Sequence, residues 1–353
     1  MQISNLRKRI DDIDFNIVGL LNTRTKVASQ IAHLKRKDGK SLYSPEREVE
    51  VLRKIAMVNK GPLNVDALRA IYREIMSSSL AMDEPLRVAY LGPEATFTHL
   101  AALKRFGSQV KYVPCNSISD VFLEVERENA DYGVIPIENS IEGAISYSFD
   151  MFVDSELKIC AQTILDVSHN LLSNCSKDKI RRVYSNPHVF GQCRLWLKDN
   201  LPHTEQMEVA STTRAAQIAG KEKNSACIAS ILAAKMYKLR VIAQDIEDSP
   251  HNVTRFLVVG NTQVPATKKD KTSIMFSIKD RIGALYDMLL PFKKYHINLT
   301  KIESRPSKKK AWDYYFFVDL EGHKDDRGVR KALLELEKKC TFLKILGSYP
   351  IGE

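Results

Sequence analysis

The sequence predicts three consecutive modules of different class: an all-α three-helix unit, a two-lobed α/β domain and a small α+β domain of ferredoxin-like order. Three observations predict this. Apolar residues recur at helical 3-4 spacing through residues 1–85. Short apolar runs alternate with helical stretches from 86 to 265. Beyond 271 the order reads strand, helix, strand, strand, helix, strand. The joints fall at Asp83-Glu84-Pro85 and in the polar linker 264–270, giving domains 1–85, 86–265 and 271–353. A length of 353 residues fits two or three domains of about 150 residues each.

Composition narrows the function class. The chain is 44% hydrophobic with 15 Gly and 13 Pro, which excludes collagen-like, low-complexity and disordered readings. No apolar run reaches the ~18 residues of a membrane span, and the N-terminus enters a charged helix with no signal-peptide core. The 6 Cys form neither a CxxC pair nor a Cys/His cluster, so reduced thiols, a cytoplasmic setting and no metal site are expected. The net charge of +10 falls mostly on the last segment. No nucleic-acid module is in sight, so no nucleic-acid partner is expected, and the charge fits small anionic substrates just as well. No GxGxxG follows a strand, which argues against a nicotinamide cofactor. The reading needs no cofactor at all.

In the first module Leu6, Ile10, Ile13, Ile17, Leu20, Val27, Ile31 and Leu34 form one seam. A helix of that extent spans roughly 45 Å. Two more helices are expected near 45–59 and 65–82. So small a unit buries a long seam best by dimerising. Arg24 interrupts the apolar stripe. A buried guanidinium needs either an acidic partner on helix 2 or an anionic ligand. Lys35 stands about 16 Å further along and about 20° round, so the two can grip one small dianion. Arg7, about 25 Å back from Arg24, cannot reach that pocket within its own helix, but a second antiparallel copy can deliver it.

This segment resembles the all-helical class of chorismate mutase. Leu6-Arg7, Arg24, Lys35, Arg47-Glu48 and Ser79 stand at that family's spacing. The resemblance implies an intertwined dimer that rearranges chorismate to prephenate. Arg7 and Arg24 would bind the carboxylates, Lys35 would donate to the ether oxygen, Glu48 would accept from the ring hydroxyl, and Ser79 would bind substrate. Asp83 stands where the family has Gln or Glu, and Ser44 where some members have an acid. An ionised Asp83 repels the developing negative charge, so mutase activity is expected to be weak or favoured at acidic pH. The alternative is a dimerisation arm without mutase activity.

In the middle module strands are expected at 86–91, 132–137, 182–185, 226–230 and 256–260, with polar residues gathered at strand ends and helix starts, where open α/β sheets bind ligands. Six signatures recur in order: Gly92-Pro93-Glu94-Ala95-Thr96-Phe97, Ile135-Pro136-Ile137-Glu138-Asn139-Ser140-Ile141-Glu142-Gly143, Ser185-Asn186-Pro187-His188, Gln192-Cys193, Ser211-Thr212 and Thr254-Arg255-Phe256. Together they resemble prephenate dehydratase, whose fold is like that of periplasmic binding proteins. The resemblance implies conversion of prephenate to phenylpyruvate, water and carbon dioxide. Thr254 would contact the leaving hydroxyl, and Glu138, Asn139, Ser185 and Gln192 would line the site. Arg255 either binds a carboxylate or forms a structural ion pair. Ala210 replaces the acid often found before Ser-Thr. Pro136 is expected to end its strand, and His99 to face solvent.

In the last module Gly283-Ala284-Leu285-Tyr286 opens the first helix and Glu303-Ser304-Arg305-Pro306 ends the second strand. With these two motifs the module resembles an ACT-type regulatory domain, and they match those by which dehydratase ACT domains bind phenylalanine. The resemblance implies feedback inhibition by phenylalanine, bound by Gly283, Ala284, Leu285, Glu303, Ser304, Arg305 and Pro306. Lys308-Lys309-Lys310 reads as a solvated loop tip. A non-catalytic amino-acid sensor on the same folds is the reading from another class; turnover separates the two.

Overall fold

A computed structural model describes residues 3–39, 41–82, 85–279, 281–307 and 314–351. The chain forms two compact units, Met1–Arg87 with Arg105–Lys111, and Val88–Lys104 with Tyr112–Glu353.

The first unit holds α1 (Ile3–Lys37), α2 (Pro45–Val58) and α3 (Val65–Leu80). Lys35, Arg36 and Lys37 fill the last turn of α1, where cations favour the helix dipole. Pro45 opens α2, with Glu46 and Glu48 in its first turn. Asn64 caps α3, its side chain accepting from the Ala67 amide at 2.7 Å. No residue of α1 is buried, and the apolar seam from Leu6 to Leu34 lies exposed. Residues Arg105–Lys111 pack on α3. There Gly107 has φ +74°, and a Cβ on it would lie 2.5 Å from that of Ser77. Only glycine meets both demands.

In the second unit, the first lobe contains β1 (Arg87–Leu91), α4 (Phe97–Phe106), β2 (Lys111–Cys115), α5 (Ile118–Glu126), β3 (Tyr132–Asn139), β4 (Gly143–Ala144), α6 (Ser146–Asp154) and β5 (Lys158–Asp166). The second lobe contains β6 (Asn170–Ser173), β7 (Arg182–Ser185), α7 (Pro187–Gln192), α8 (Arg194–Asn200), β8 (Glu205–Glu208), α9 (Thr212–Ala219), β9 (Ser225–Ala229), α10 (Ile231–Met236) and β10 (Arg240–Ala243). The chain then returns to the first lobe as β11 (Val253–Gly260). The sheets run β2-β1-β3-β11-β5 and β10-β6-β9-β7-β8. Two crossings thus join two sheets, the two-lobed α/β plan expected from the sequence.

The ferredoxin-like module follows as β12 (Asp270–Ser277), α11 (Ala284–Lys294), β13 (Leu299–Pro306), β14 (Tyr314–Glu321), α12 (Arg327–Glu337) and β15 (Phe342–Pro350), with sheet order β13-β14-β12-β15. Its helices cover one face through Met288, Phe292 and Val329. From the other face Met275, Phe317, Leu346 and Tyr349 join one core with Ile137 and Phe149 of the first lobe.

Several expectations are corrected. Pro136 sits inside β3, opposite an irregularity in β11 between Arg255 and Phe256 that absorbs its missing donor. His99 is buried, its Nδ1 accepting from the Ala95 amide at 3.1 Å and its ring stacked on Tyr90. β11 begins at Val253, not Phe256, and β3 continues through Glu138 and Asn139. The run Lys308–Lys310 and Trp312 lie outside the described residues. Among those described, no helix is long and apolar enough to cross a membrane.

Candidate active sites

The helical unit encloses a cavity of about 460 Å³. Arg24, Lys35, Glu48 and Ser79 line it together, although they come from three helices. Arg24 donates to the Ser79 hydroxyl at 3.1 Å, and that hydroxyl donates on to the Ile75 carbonyl at 3.0 Å. No ion pair between Arg24 and α2 is found among the described residues; the guanidinium faces the cavity instead. Lys35 donates to the Leu42 carbonyl at 3.2 Å and to the Ser44 hydroxyl. Ser44 leaves its helix end uncapped by side chain and serves the lysine. Glu48 accepts from the Tyr43 hydroxyl at 3.0 Å and pairs with Arg105 at 3.2 Å. Arg7 does not line this cavity. Asp83 lies outside the described residues.

The second site forms where β3 and β11 end together. Thr254 pairs in register with Asn139, and Arg255 with Glu138. Side chains alternate along a strand, so the four residues divide between two faces. On one face the Asn139 amide donates to the Thr254 hydroxyl at 2.8 Å and to Asn252 at 2.7 Å. Asn252 donates to Gln192 Oε1 at 3.0 Å. That oxygen also lies 2.7 Å from His169 Nε2, while Gln192 Nε2 donates to Glu142 at 3.0 Å. Burial holds His169 below the ordinary histidine value, so it is neutral, and its Nδ1 is buried without a protein partner. On the other face Arg255 donates to Gln162, Glu138, Asp319 and Tyr349 at 2.6 to 2.9 Å. Glu138 is tied in turn to Lys301 of β13. Burial opposes its ionisation, but hydrogen bonds from Lys301 and Arg255 outweigh this and hold its carboxyl below the usual range.

The geometry sorts the expected residues of this site. Asn139, Gln192 and Thr254 come together. Glu138 and Arg255 face the ferredoxin-like module, so of the two readings of Arg255 the ion pair is the one observed. Ser185 is fully buried and donates to the Ile228 carbonyl of β9 at 2.9 Å, not to a member of this network. In the third module Gly283 has φ +75° at the start of α11. Glu303, Ser304, Arg305 and Pro306 lie on β13, an edge strand.

Comparison with known proteins agrees with this layout. Family models match at residues 6–84 (chorismate mutase type II), 88–264 (prephenate dehydratase) and 272–338 (ACT domain). A bifunctional chorismate mutase/prephenate dehydratase of Aquifex aeolicus is 50% identical over 99% of this chain and 98% of its own. The chain belongs to the bifunctional chorismate mutase/prephenate dehydratase family. A second such protein, of Stutzerimonas stutzeri, is 43% identical over 99% of this chain and 98% of its own. The solved prephenate dehydratase of Arthrobacter aurescens, in complex with L-Phe, is 30% identical over 75% of this chain and 90% of its own, with a TM-score of 0.70.

Both catalytic domains are therefore present, and the reading of residues 1–85 as a mere arm is disfavoured. As a bifunctional mutase–dehydratase, the chain carries two sites that sequence reasoning covered unevenly. It missed Asn252 and His169 in the network beside Thr254, and Tyr43 and Arg105 in the lining of the helical cavity. Asn252 had a signal, since it precedes Thr254 by two positions and so shares its face. Glu142 lies within the 135–143 signature, which gave no sign of its hydrogen bond with Gln192.

Proposed function

We propose that the helical cavity is the mutase site. The carrying observation is that Arg24, Lys35, Glu48 and Ser79 converge on one cavity. The rearrangement of chorismate needs no nucleophile and no acid–base step. Holding the diaxial conformer and stabilising charge on the ether oxygen suffices. Arg24 and Ser79 bind one carboxylate, Lys35 donates to the ether oxygen, and Glu48 accepts from the ring hydroxyl. Arg7 is supplied by a second copy, whose α1 covers the exposed seam. A homodimer is thus part of the proposal, supported by the length and exposure of that seam. Asp83 retains the expectation of weak or acid-favoured mutase activity. A rate profile flat from about pH 5 to 8 at normal activity would remove a titrating Asp83 from the account.

The dehydratase chemistry is proposed at Thr254. Loss of carbon dioxide drives electrons into the ring while the ring hydroxyl departs, and that oxygen must receive a proton or a strong hydrogen bond. Because Asn139 donates to the Thr254 oxygen, the threonine proton is left to point at the leaving group. Gln192, Asn252 and His169 fix the Asn139 amide from behind. Phenylalanine binds at Gly283, Ala284, Leu285 and the 303–306 motif, with Glu303, Ser304, Arg305 and Pro306 on an edge strand open to a second copy. Lys301 on that strand holds Glu138, the neighbour of Asn139, so the ligand can bias the site. Domain limits of 1–85, 86–265 and 271–353 and a cytoplasmic location with free thiols complete the proposal. The test follows phenylpyruvate from chorismate and from prephenate, each with and without phenylalanine. Loss of turnover from both substrates on adding phenylalanine is expected; insensitivity to phenylalanine would refute the regulatory part.

A further inference from the structure

Arg105 falls inside the segment matched by the dehydratase model, residues 88–264, yet it packs with the helical unit. Its side chain is largely buried against an equally buried Glu48. Its Nε donates to the Tyr43 hydroxyl at 2.5 Å, its Nη2 meets Glu48 Oε2 at 3.2 Å, and its guanidinium lies 5.7 Å from the centre of the Tyr43 ring. Tyr43 donates to that same Glu48 oxygen at 3.0 Å. Burial raises the Tyr43 phenol well above its ordinary value, so it keeps the proton it donates. Phe106 packs its ring, tilted by 51°, with its centre 4.8 Å from that of Tyr43, and Gly107 permits the close approach to Ser77 that seats the segment.

The charge pattern says what this arrangement does. Among the described residues, the cavity is lined by Arg24, Lys35, Arg47, Arg73 and Arg105 and by one carboxylate, Glu48. A dicarboxylate ligand is repelled by an unpaired anion in its own pocket. A buried carboxylate is also costly without partners. Arg105 removes both penalties at Glu48 Oε2 and, with Tyr43, locks that oxygen in place. The other oxygen, Oε1, is left to receive a hydroxyl.

We propose that Arg105, together with Tyr43, is a positioning residue of the mutase site, holding Glu48 so that it accepts the substrate's ring hydroxyl. The mutase site is on this view completed by a residue of the dehydratase segment. The proposal rests on the reading of Glu48 given above, so Glu48→Gln is measured in parallel. In the full-length protein, Arg105→Gln is expected to lower kcat/KM for chorismate about tenfold or more, Tyr43→Phe about threefold, and Arg105→Lys to recover much of the loss. Turnover of prephenate stays at the wild-type level, which reports that the fold persists. In the Glu48→Gln background Arg105→Gln should add nothing, because its only catalytic effect runs through that carboxylate. Independent, multiplying losses in the double variant would overturn the proposal, as would wild-type mutase activity in Arg105→Gln. Wild-type mutase activity in Glu48→Gln would instead overturn the underlying reading of Glu48, and this inference with it.

Discussion

At the scale of single residues, the proposed chemistry rests on two side chains, Lys35 and Thr254. Lys35 donates to the Leu42 carbonyl and the Ser44 hydroxyl and lines the helical cavity, where the proposed role has it donate to the ether oxygen. Loss of one preorganised donor of this kind costs about 10² to 10³ in rate. Lys35→Ala should therefore abolish most chorismate turnover while leaving prephenate turnover intact, which parallel assays check. In the proposed role Thr254 acts through its hydroxyl hydrogen. Thr254→Val keeps the shape, removes that donor and strands the Asn139 amide, so prephenate turnover should fall by about 10² or more. Thr254→Ser should retain most of it. Equal rates for Val and Ser would contradict a role for the hydroxyl. Spacing along one helix made Arg24 and Lys35 legible in the sequence, because both lie on one continuous α1. Arg105 was not legible. It meets Tyr43 across 62 residues of chain, and nothing local marks such a contact.

At the scale of elements, the ends of β3 and β11 decide which residues share a face. Reading the strands as stopping at Ile137 and starting at Phe256 leaves Glu138, Asn139, Thr254 and Arg255 in loops, where all four can converge. Two or three added strand residues on each side fix the alternation and send Glu138 and Arg255 to the other face. Strand limits are the least determined feature of a sequence, so this division was beyond its reach. The strand-helix order of the last module, by contrast, followed from apolar runs and turn residues alone, whereas β2, β5, β6, β8 and β10 of the middle module were not foreseen. The Arg255–Asp319 pair is buried, at 2.6 Å. Removing one partner of such a pair costs about 3–5 kcal/mol, so Asp319→Asn should lower the unfolding midpoint clearly. A change in thermal unfolding within error would show the pair to be dispensable. Hydrogen bonds from Lys301 and Arg255 hold the carboxyl of Glu138 below the usual carboxylate range. A group depressed in the folded state contributes stability above its unfolded value and loses it as pH falls. Stability from this cluster should hold above about pH 4.5 and decline below it, and Glu138→Gln should flatten that decline in acid titrations of the midpoint.

At the scale of the whole molecule, the exposed seam of α1 and the absence of Arg7 from the cavity lining point to sites shared between copies. Arg7→Ala and Lys35→Ala would each disable both sites of a homodimer. Mixing them after exchange of subunits should restore roughly a quarter of wild-type mutase activity, since a heterodimer retains one intact site. No recovery on mixing would place each site within one chain. Phenylalanine sensitivity belongs to this scale too. Lys301→Ala cuts the tie between β13 and Glu138, and prephenate turnover in this variant should resist phenylalanine while the ligand still binds by calorimetry. Undiminished inhibition would exclude that tie as a route.

The proposed sites act in sequence, and a product analysis of the two single-site variants on chorismate separates them. Thr254→Val should convert chorismate and stop at prephenate. Lys35→Ala should leave chorismate unchanged, yet turn added prephenate into phenylpyruvate at the wild-type rate. Phenylpyruvate formed from chorismate at normal rate by either variant would contradict the assignment of that site.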